Sequence, residues 1–308
     1  MHTNVETTWM ITGANGNLGR RMIVALLDNE RNAVVAVVRS ERAKDALHAL
    51  NLDSSQSKRL SIHVLDYTDV AALRLAAQGC DKVVHLVGIL KQSQQATYLQ
   101  AHEQSTQALL EALAPTNVGH LTYLSIVGSS ADASNLCLAS KGRAEELCVQ
   151  NQLPTCILRV PMVLGEGDYA SFALKSRALQ RISFNFRAGS IEQPIYAGDV
   201  VRAIFTAAIQ QVEGALDLAG AEKVTRRELT SLAGRILGTR PSIVSLPISI
   251  GLMMASLMER LLKNPPVTRV MLEVLDHDDD IDIEPALVAL GGLELTGLND
   301  TLRAVLKD

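Results

Sequence analysis

The chain has 308 residues, 47% of them hydrophobic and 20% charged, enough apolar material for one large domain or two coupled ones. A formal net charge of −4 and a pI near 6.0 exclude global attraction to nucleic acid or anionic lipid, and 3% aromatics leave few rings for base stacking. Cys80, Cys137, Cys148 and Cys156 form no CxxC pair and the seven histidines no HxxxH pair, so no metal site is expected.

From the N-terminus, Met1–Thr8 has neither a basic head nor an apolar run, so no leader is expected, and the reading is of a cytoplasmic protein with buried, reduced cysteines. Short apolar runs then alternate with helical patterns. Strands are expected over Thr8–Thr12, Ala33–Val38, Leu60–Leu65, Lys82–Val87, Leu121–Ile126 and Thr155–Val160. Their nearly continuous apolarity suits strands covered on both faces. Helices are expected between them, over Leu18–Leu27, Arg42–Leu50, Val70–Ala77, Thr97–Ala114 and Ser140–Gln150. That order predicts an α/β fold with a doubly wound parallel sheet.

After Gly165 the regularity fades. Asp199 is placed to cap a helix through Val200–Ile209. Thr225 and Glu228 make a capping box for Arg226–Leu237, closed by Gly238. Further helices are expected over Ile248–Leu262, Thr268–Leu275 and Asn299–Leu306. Residues 1–165 thus form the core, and 166–308 a mixed region with sheet-completing elements and a smaller, mainly helical C-terminal lobe. Ile243–Met258 is apolar but interrupted by Pro247 and Gly251, short of a bilayer span. Ile248–Leu262 packs the lobe, or forms a lid over substrate, or meets a membrane surface or partner subunit. The acidic run Asp276–Asp282 lacks the glycine and closing glutamate of a calcium loop and reads as a solvated turn.

The chemistry lies in Thr12-Gly13-Ala14-Asn15-Gly16-Asn17-Leu18-Gly19, between the first strand and first helix. Gly13 permits a sharp turn, Gly16 leaves room for a pyrophosphate against the backbone, and Gly19 permits close helix–strand packing. Free amides of the helix N-terminus complete a phosphate cradle for a dinucleotide on a Rossmann-type sheet. At the end of the second strand a carboxylate would bind the 2′-hydroxyl of NAD, but Arg39 and Ser40 stand there with Arg42 nearby. A guanidinium favours the 2′-phosphate, so NADP(H) is the expected cofactor, with NAD(H) as the alternative if Arg39 only faces solvent. Asp66, beside Tyr67, either meets the adenine amino group or caps the next helix with Asp69. Val87-Gly88 ends the fourth strand, where glycine lets the cofactor cross.

With Ser140-Lys141, Leu158-Arg159 and Gly165-Glu166-Gly167-Asp168, these residues resemble the short-chain dehydrogenase/reductase superfamily, in its atypical and extended branch. Val84–Leu90, Pro194–Tyr196 through Asp199-Val200, and Pro265–Arg269 through Leu290-Gly291 most resemble the NAD(P)H-binding accessory subunit of respiratory complex I and its bacterial relatives. The resemblance covers nearly the whole chain. It implies a seven-stranded sheet and a lobe closing over the nicotinamide.

It also implies a Tyr-x-x-x-Lys relay with a serine from the fifth strand, the lysine holding the nicotinamide ribose and lowering the tyrosine pKa. Lys141 matches the lysine and Ser125 or Ser129 the serine. The tyrosine position is Cys137, a poor acid. The function expected is therefore an NAD(P)H-dependent reductase of a quinone or conjugated carbonyl, where hydride transfer needs orientation more than an acid. The alternative is a non-catalytic NADP(H)-binding structural or redox-responsive module. A sugar-nucleotide epimerase is disfavoured, because it would need the tyrosine. A small-molecule substrate or a partner protein is expected, and no nucleic acid.

Overall fold

The computed structural model describes residues 6–93, 96–262, 265–274 and 276–307. Met1–Val5, part of the segment read for a leader, and Leu275, the expected end of a helix, lie outside the described residues.

The centre is a seven-stranded sheet. Its first six strands are β1 (Thr7–Thr12), β2 (Asn32–Val38), β3 (Leu60–Val64), β4 (Lys82–His85), β5 (His120–Ile126) and β6 (Thr155–Val160). The seventh strand, Gly214–Asp217, comes from beyond residue 165. The order is seventh strand–β6–β5–β4–β1–β2–β3, with every neighbouring pair parallel.

Burial on both faces explains the apolar strands. Trp9 and Ile11 join one core with α1 (Asn17–Leu27) and α8 (Ala197–Gln210). Met10, between them, points to the other core, with α4 (Val70–Ala76), α5 (Ser105–Leu113) and α6 (Leu136–Gln150). The edge strand β3 is the exception, with Ser61, His63 and Val64 exposed. The remaining elements of this half are α2 (Glu41–His48) and α3 (Ser54–Lys58). The capping box of Asp53 and Gln56 that opens α3 escaped the sequence reading. A π-helical turn, Leu99–Gln104, precedes α5.

In the lobe, α7 (Tyr169–Leu179), α9 (Arg226–Ile236) and α13 (Leu298–Leu306) share a core around Leu174, Leu229 and Leu302. The expected capping box at Thr225 and Glu228 opens α9. α10 (Ile248–Leu261) and α11 (Arg269–Val274) complete the lobe, while α12 (Glu284–Ala289) returns to the sheet and buries Ala286 in the core of α1 and α8.

Three expectations are corrected. Asp199 is not a cap: it lies within α8, fully buried, where its carboxylate accepts from the Thr296 amide at 2.7 Å and pairs with Arg202 at 2.6 Å. It anchors a distant loop. α10 packs the lobe with only part of its apolar surface: Ile248, Leu252 and Met258 are half-buried, but Met253, Met254 and Leu257 are exposed. The acidic run is no free turn: Asp276 and Asp278 pair with Arg187, Asp280 pairs with Lys223, and Asp279 is buried. No helix among the described residues is long and apolar enough to cross a membrane.

Candidate functional site

From β1 the chain runs on to β2 and β3 at one side, then returns through β4 to build the other. The crevice at the carboxyl ends of β1 and β4 is therefore the switch point where such sheets bind ligands. Backbone sterics shape it. Gly13 has φ +73°, and a Cβ there would lie 2.9 Å from the Leu86 carbonyl carbon. At Gly19 a Cβ would lie 2.5 Å from the Ala14 carbonyl oxygen, so only glycine lets α1 sit this close. Gly16 caps α1 without a side-chain hydrogen bond, and its would-be Cβ meets only the Gly13 oxygen, at 3.3 Å. The first amides of α1 are thus left for an anionic group.

A cleft of about 1100 Å³ opens here, lined by Gly13, Asn15, Gly16, Val87 and Gly88 and, at its outer end, by Arg39, Ser40, Asp66 and Tyr67. Arg20, Arg42 and Thr68 also line it, a cationic outer end that the sequence reading only partly foresaw. The Ser40 hydroxyl caps α2 by accepting from Ala43 at 3.2 Å. The cap reading of Asp66 is corrected: it lines the cleft and accepts from the Thr68 amide and hydroxyl at 2.8 Å each, while Asp69 alone caps α4. Thr68's hydrogen bonds, with help from Arg39, hold the Asp66 carboxyl below its usual range. Tyr67 accepts from the Gly13 amide at 3.2 Å and donates to the Val37 carbonyl at 3.3 Å, bracing the turn.

Five residues expected at the cofactor do not line the cleft: Lys141, which is buried, and Thr12, Asn17, Leu18 and Gly19, which are structural supports. Thr12 is buried, its hydroxyl 2.6 Å from His85 Nδ1. Asn17 donates to the Glu166 carbonyl at 3.1 Å, tying α1 to the 165–168 loop. Leu18 packs on the core, and Gly19 serves helix–strand contact.

At the inner end, Asn135 caps α6 by accepting from the Cys137 and Leu138 amides. The helix therefore starts a turn earlier than expected and carries Cys137 and Lys141 on one face. Lys141 is buried; its Nζ donates to the Leu124 carbonyl at 2.8 Å and lies 4.5 Å from the centroid of the Tyr123 ring. Burial lowers its pKa to about 8. A Cβ on Gly88 would lie 3.2 Å from Lys141 Nζ and 3.7 Å from His102 Nε2, so Gly88, Lys141 and His102 converge. His102 accepts from the Ile89 amide at 3.1 Å, and burial depresses its pKa to about 3. His85 is likewise buried and held to about 3.

Cys137 is fully buried, and its thiol donates to the Ile89 carbonyl at 3.5 Å. Burial pushes it up to about 11. Tyr98 and Val274 cover it, with Ile89, Ile126, Leu138 and Val270 packed around. Ser125 is taken up elsewhere. Its hydroxyl donates to Glu145, itself paired with Arg159 at 2.5 Å, and its neighbour Ser129 is 3.4 Å away. The sequence reading missed His102, Glu145 and the π-helical turn. His102 and Thr106 at i, i+4, with Thr106 Oγ1 3.3 Å from His85 Nε2, are the pattern that could have exposed them.

The fold and cradle define a dinucleotide-binding protein of the Rossmann class. The NAD(P)H-binding family model matches residues 13–180, more than half of the chain, and the chain belongs to that family. No curated protein matches it. Among solved structures it is similar to the UDP-glucuronic acid 4-epimerase of Bacillus cereus in complex with NAD, at 20% identity, with 97% of each chain covered and a TM-score of 0.74. The UDP-N-acetylglucosamine 4-epimerase of Bacillus cereus gives 18% identity, 97% of each chain and 0.68. WbmH of Bordetella bronchiseptica in complex with NAD+ gives 17%, 97% of each chain and 0.69. At such identities the likeness is one of fold.

Proposed function

We propose that the chain is an NADP(H)-binding module, holding the nucleotide as a structural or redox-responsive ligand instead of running alcohol–ketone chemistry on it. The observation that carries this reading is the packing at Cys137. Where a relay would need an exposed phenol, a thiol raised to about 11 is fully buried under Tyr98 and Val274. The Ser125 hydroxyl is committed to Glu145. The cleft at the other end is open and cationic, which supports retained binding without a retained relay.

A dinucleotide fits the residues present. Gly16 leaves the start of α1 uncapped for a pyrophosphate, and Arg39 and Arg42 line the outer end where a 2′-phosphate would sit. Bound nicotinamide would supply hydride chemistry. Lys141 would hold the ribose hydroxyls, keeping its proton on Nζ at neutral pH. His102, neutral at that pH, would hold the Ile89 amide and with it the loop beyond β4. Tyr98, Val270 and Val274 would keep water from this end. Val270 and Val274 of that cover come from the lobe, and Tyr98 from the segment beyond β4.

Reduction of a quinone or conjugated carbonyl remains the second reading. The convergence of Gly88, Lys141 and His102 at the inner end of the cleft favours it, because hydride transfer asks for orientation. One experiment separates the two. The purified protein is analysed for bound nucleotide, then assayed for steady oxidation of NADPH with quinones and conjugated aldehydes. Bound NADP(H) without turnover is the expected result. Steady turnover that survives Cys137→Ala would replace the module with the reductase. A hundredfold loss in that variant, the scale of losing a general acid, would make the thiol a working acid and refute both readings.

A further inference from the structure

Two elements of the lobe carry their polarity inside out. Along α10 only Gly251 and Ala255 are buried, whereas Ile250, Met253, Met254, Leu257 and Leu261 share one side and are 37–73% exposed. Small residues let this helix lie close: a Cβ on Gly251 would sit 2.9 Å from the Phe186 ring. Phe186 ends the strand Ile182–Phe186, the second inverted element. There Ser183 and Asn185 face inward, the Asn185 amide donating to Thr230 at 2.8 Å, while Ile182 and Phe184 are 51% and 57% exposed. Val244 of the parallel strand Ser242–Leu246 is the register partner of Phe184 and is also exposed. Isolated apolar side chains on a surface need no explanation, but a helix side and a sheet face turned outward together do.

The chain from Lys175 to Arg187 holds four cations and no carboxylate, in a protein of net charge −4, although Arg187 is paired with Asp276 and Asp278 and the Arg177 Nε is buried. Arg181, Arg240 and Arg260 are exposed. The one carboxylate on α10, Glu259, accepts from the Arg269 amide at 3.1 Å.

We propose that this corner docks on an anionic phospholipid surface. α10 would lie in the plane of the interface with Met253, Leu257 and Leu261 in the acyl boundary. Arg181, Arg240 and Arg260 would reach the headgroup phosphates. The stripe from Ile250 to Leu261 is about 16 Å long at 1.5 Å per residue, a length for lying on a bilayer and not for crossing it. An acidic patch alone would match the arginines but leave the methionines and Phe184 exposed. A bilayer surface matches both. This inference stands apart from the nucleotide reading, since neither α10 nor the Ile182–Phe186 strand lines the cleft.

The test is flotation of the full chain, with NADPH present, on vesicles of phosphatidylcholine alone and of phosphatidylcholine with phosphatidylglycerol. Binding is expected to the anionic vesicles and to weaken as salt is raised. Replacing Arg181, Arg240 or Arg260 by alanine should weaken it about fivefold each, roughly 1 kcal/mol per cation near such a surface. Met253→Glu combined with Leu257→Glu should abolish flotation with circular dichroism and NADPH affinity unchanged. Failure to float with anionic vesicles would overturn the proposal, as would equal binding to neutral ones. So would a dimer at the same concentration that the glutamate pair dissociates, which would make a second copy the natural cover.

Discussion

Replacing Lys141 by methionine keeps the length of the side chain and removes its charge. A fall in its pKa from 10.5 to about 8 corresponds to a penalty on the order of 3 kcal/mol for holding the ammonium in the fold. The Tyr123 face, 4.5 Å away, returns about 1 kcal/mol. The Leu124 and Val87 carbonyls would lose a donor in the variant. Lys141→Met should therefore stabilise the nucleotide-free protein at pH 7 by about 1–2 kcal/mol.

The pH dependence has a definite sign. The folded pKa is depressed, so between pH 8 and 10.5 the unfolded chain binds more protons, and stability of the parent protein rises with pH across that window. Its deficit against the methionine variant is full below pH 8 and gone above 10.5. Urea unfolding, followed by the single tryptophan, Trp9, which is buried against Phe205, would measure both curves. NADPH should reverse the ranking. A charge-assisted bond to the ribose is worth roughly 1.5–3 kcal/mol, so the variant should bind at least tenfold more weakly. Parallel stability curves from pH 8 to 10.5 would refute the buried-ammonium argument, and unchanged NADPH affinity would remove Lys141 from the site.

Two of the cradle glycines should respond differently. Gly16→Val fills the phosphate approach and should abolish NADPH binding in calorimetry with the fold intact, whereas Gly19→Ala drives a methyl onto the Ala14 carbonyl and should lower unfolding stability by roughly 1–3 kcal/mol. Arg39→Asp should cost NADPH roughly tenfold or more in affinity and favour NADH, the loss of one charge-assisted bond; equal affinity of the parent for both nucleotides would mean that Arg39 faces only solvent. All four cysteines are buried, so native protein should not react with a thiol reagent within the time that urea-unfolded protein reacts fully.

What could be read from the sequence was what recurs with a short period or depends on backbone sterics. The strands showed because Trp9, Met10 and Ile11 are all apolar, as a strand buried on both faces requires. The cradle showed because its glycines answer local clashes with Leu86 and Ala14. Direction was harder to read. The apolar run of α10 has the composition of a core helix, and only the placement of Gly251 on Phe186 turns its methionines outward. Asp199 stands where a cap would, yet its partner, Thr296, belongs to a loop that spacing could not bring near. The same holds at the relay. Spacing to Lys141 exposes the missing tyrosine at residue 137, but spacing cannot say whether the site around it stays open. Tyr98 and Val274 decide that, one from the helix beyond β4 and one from the lobe, and their contact with the thiol exists only once the chain has closed on itself. A missing acid alone is compatible with a reductase. A missing acid sealed beneath side chains from two separate segments is what the proposed nucleotide-holding module calls for.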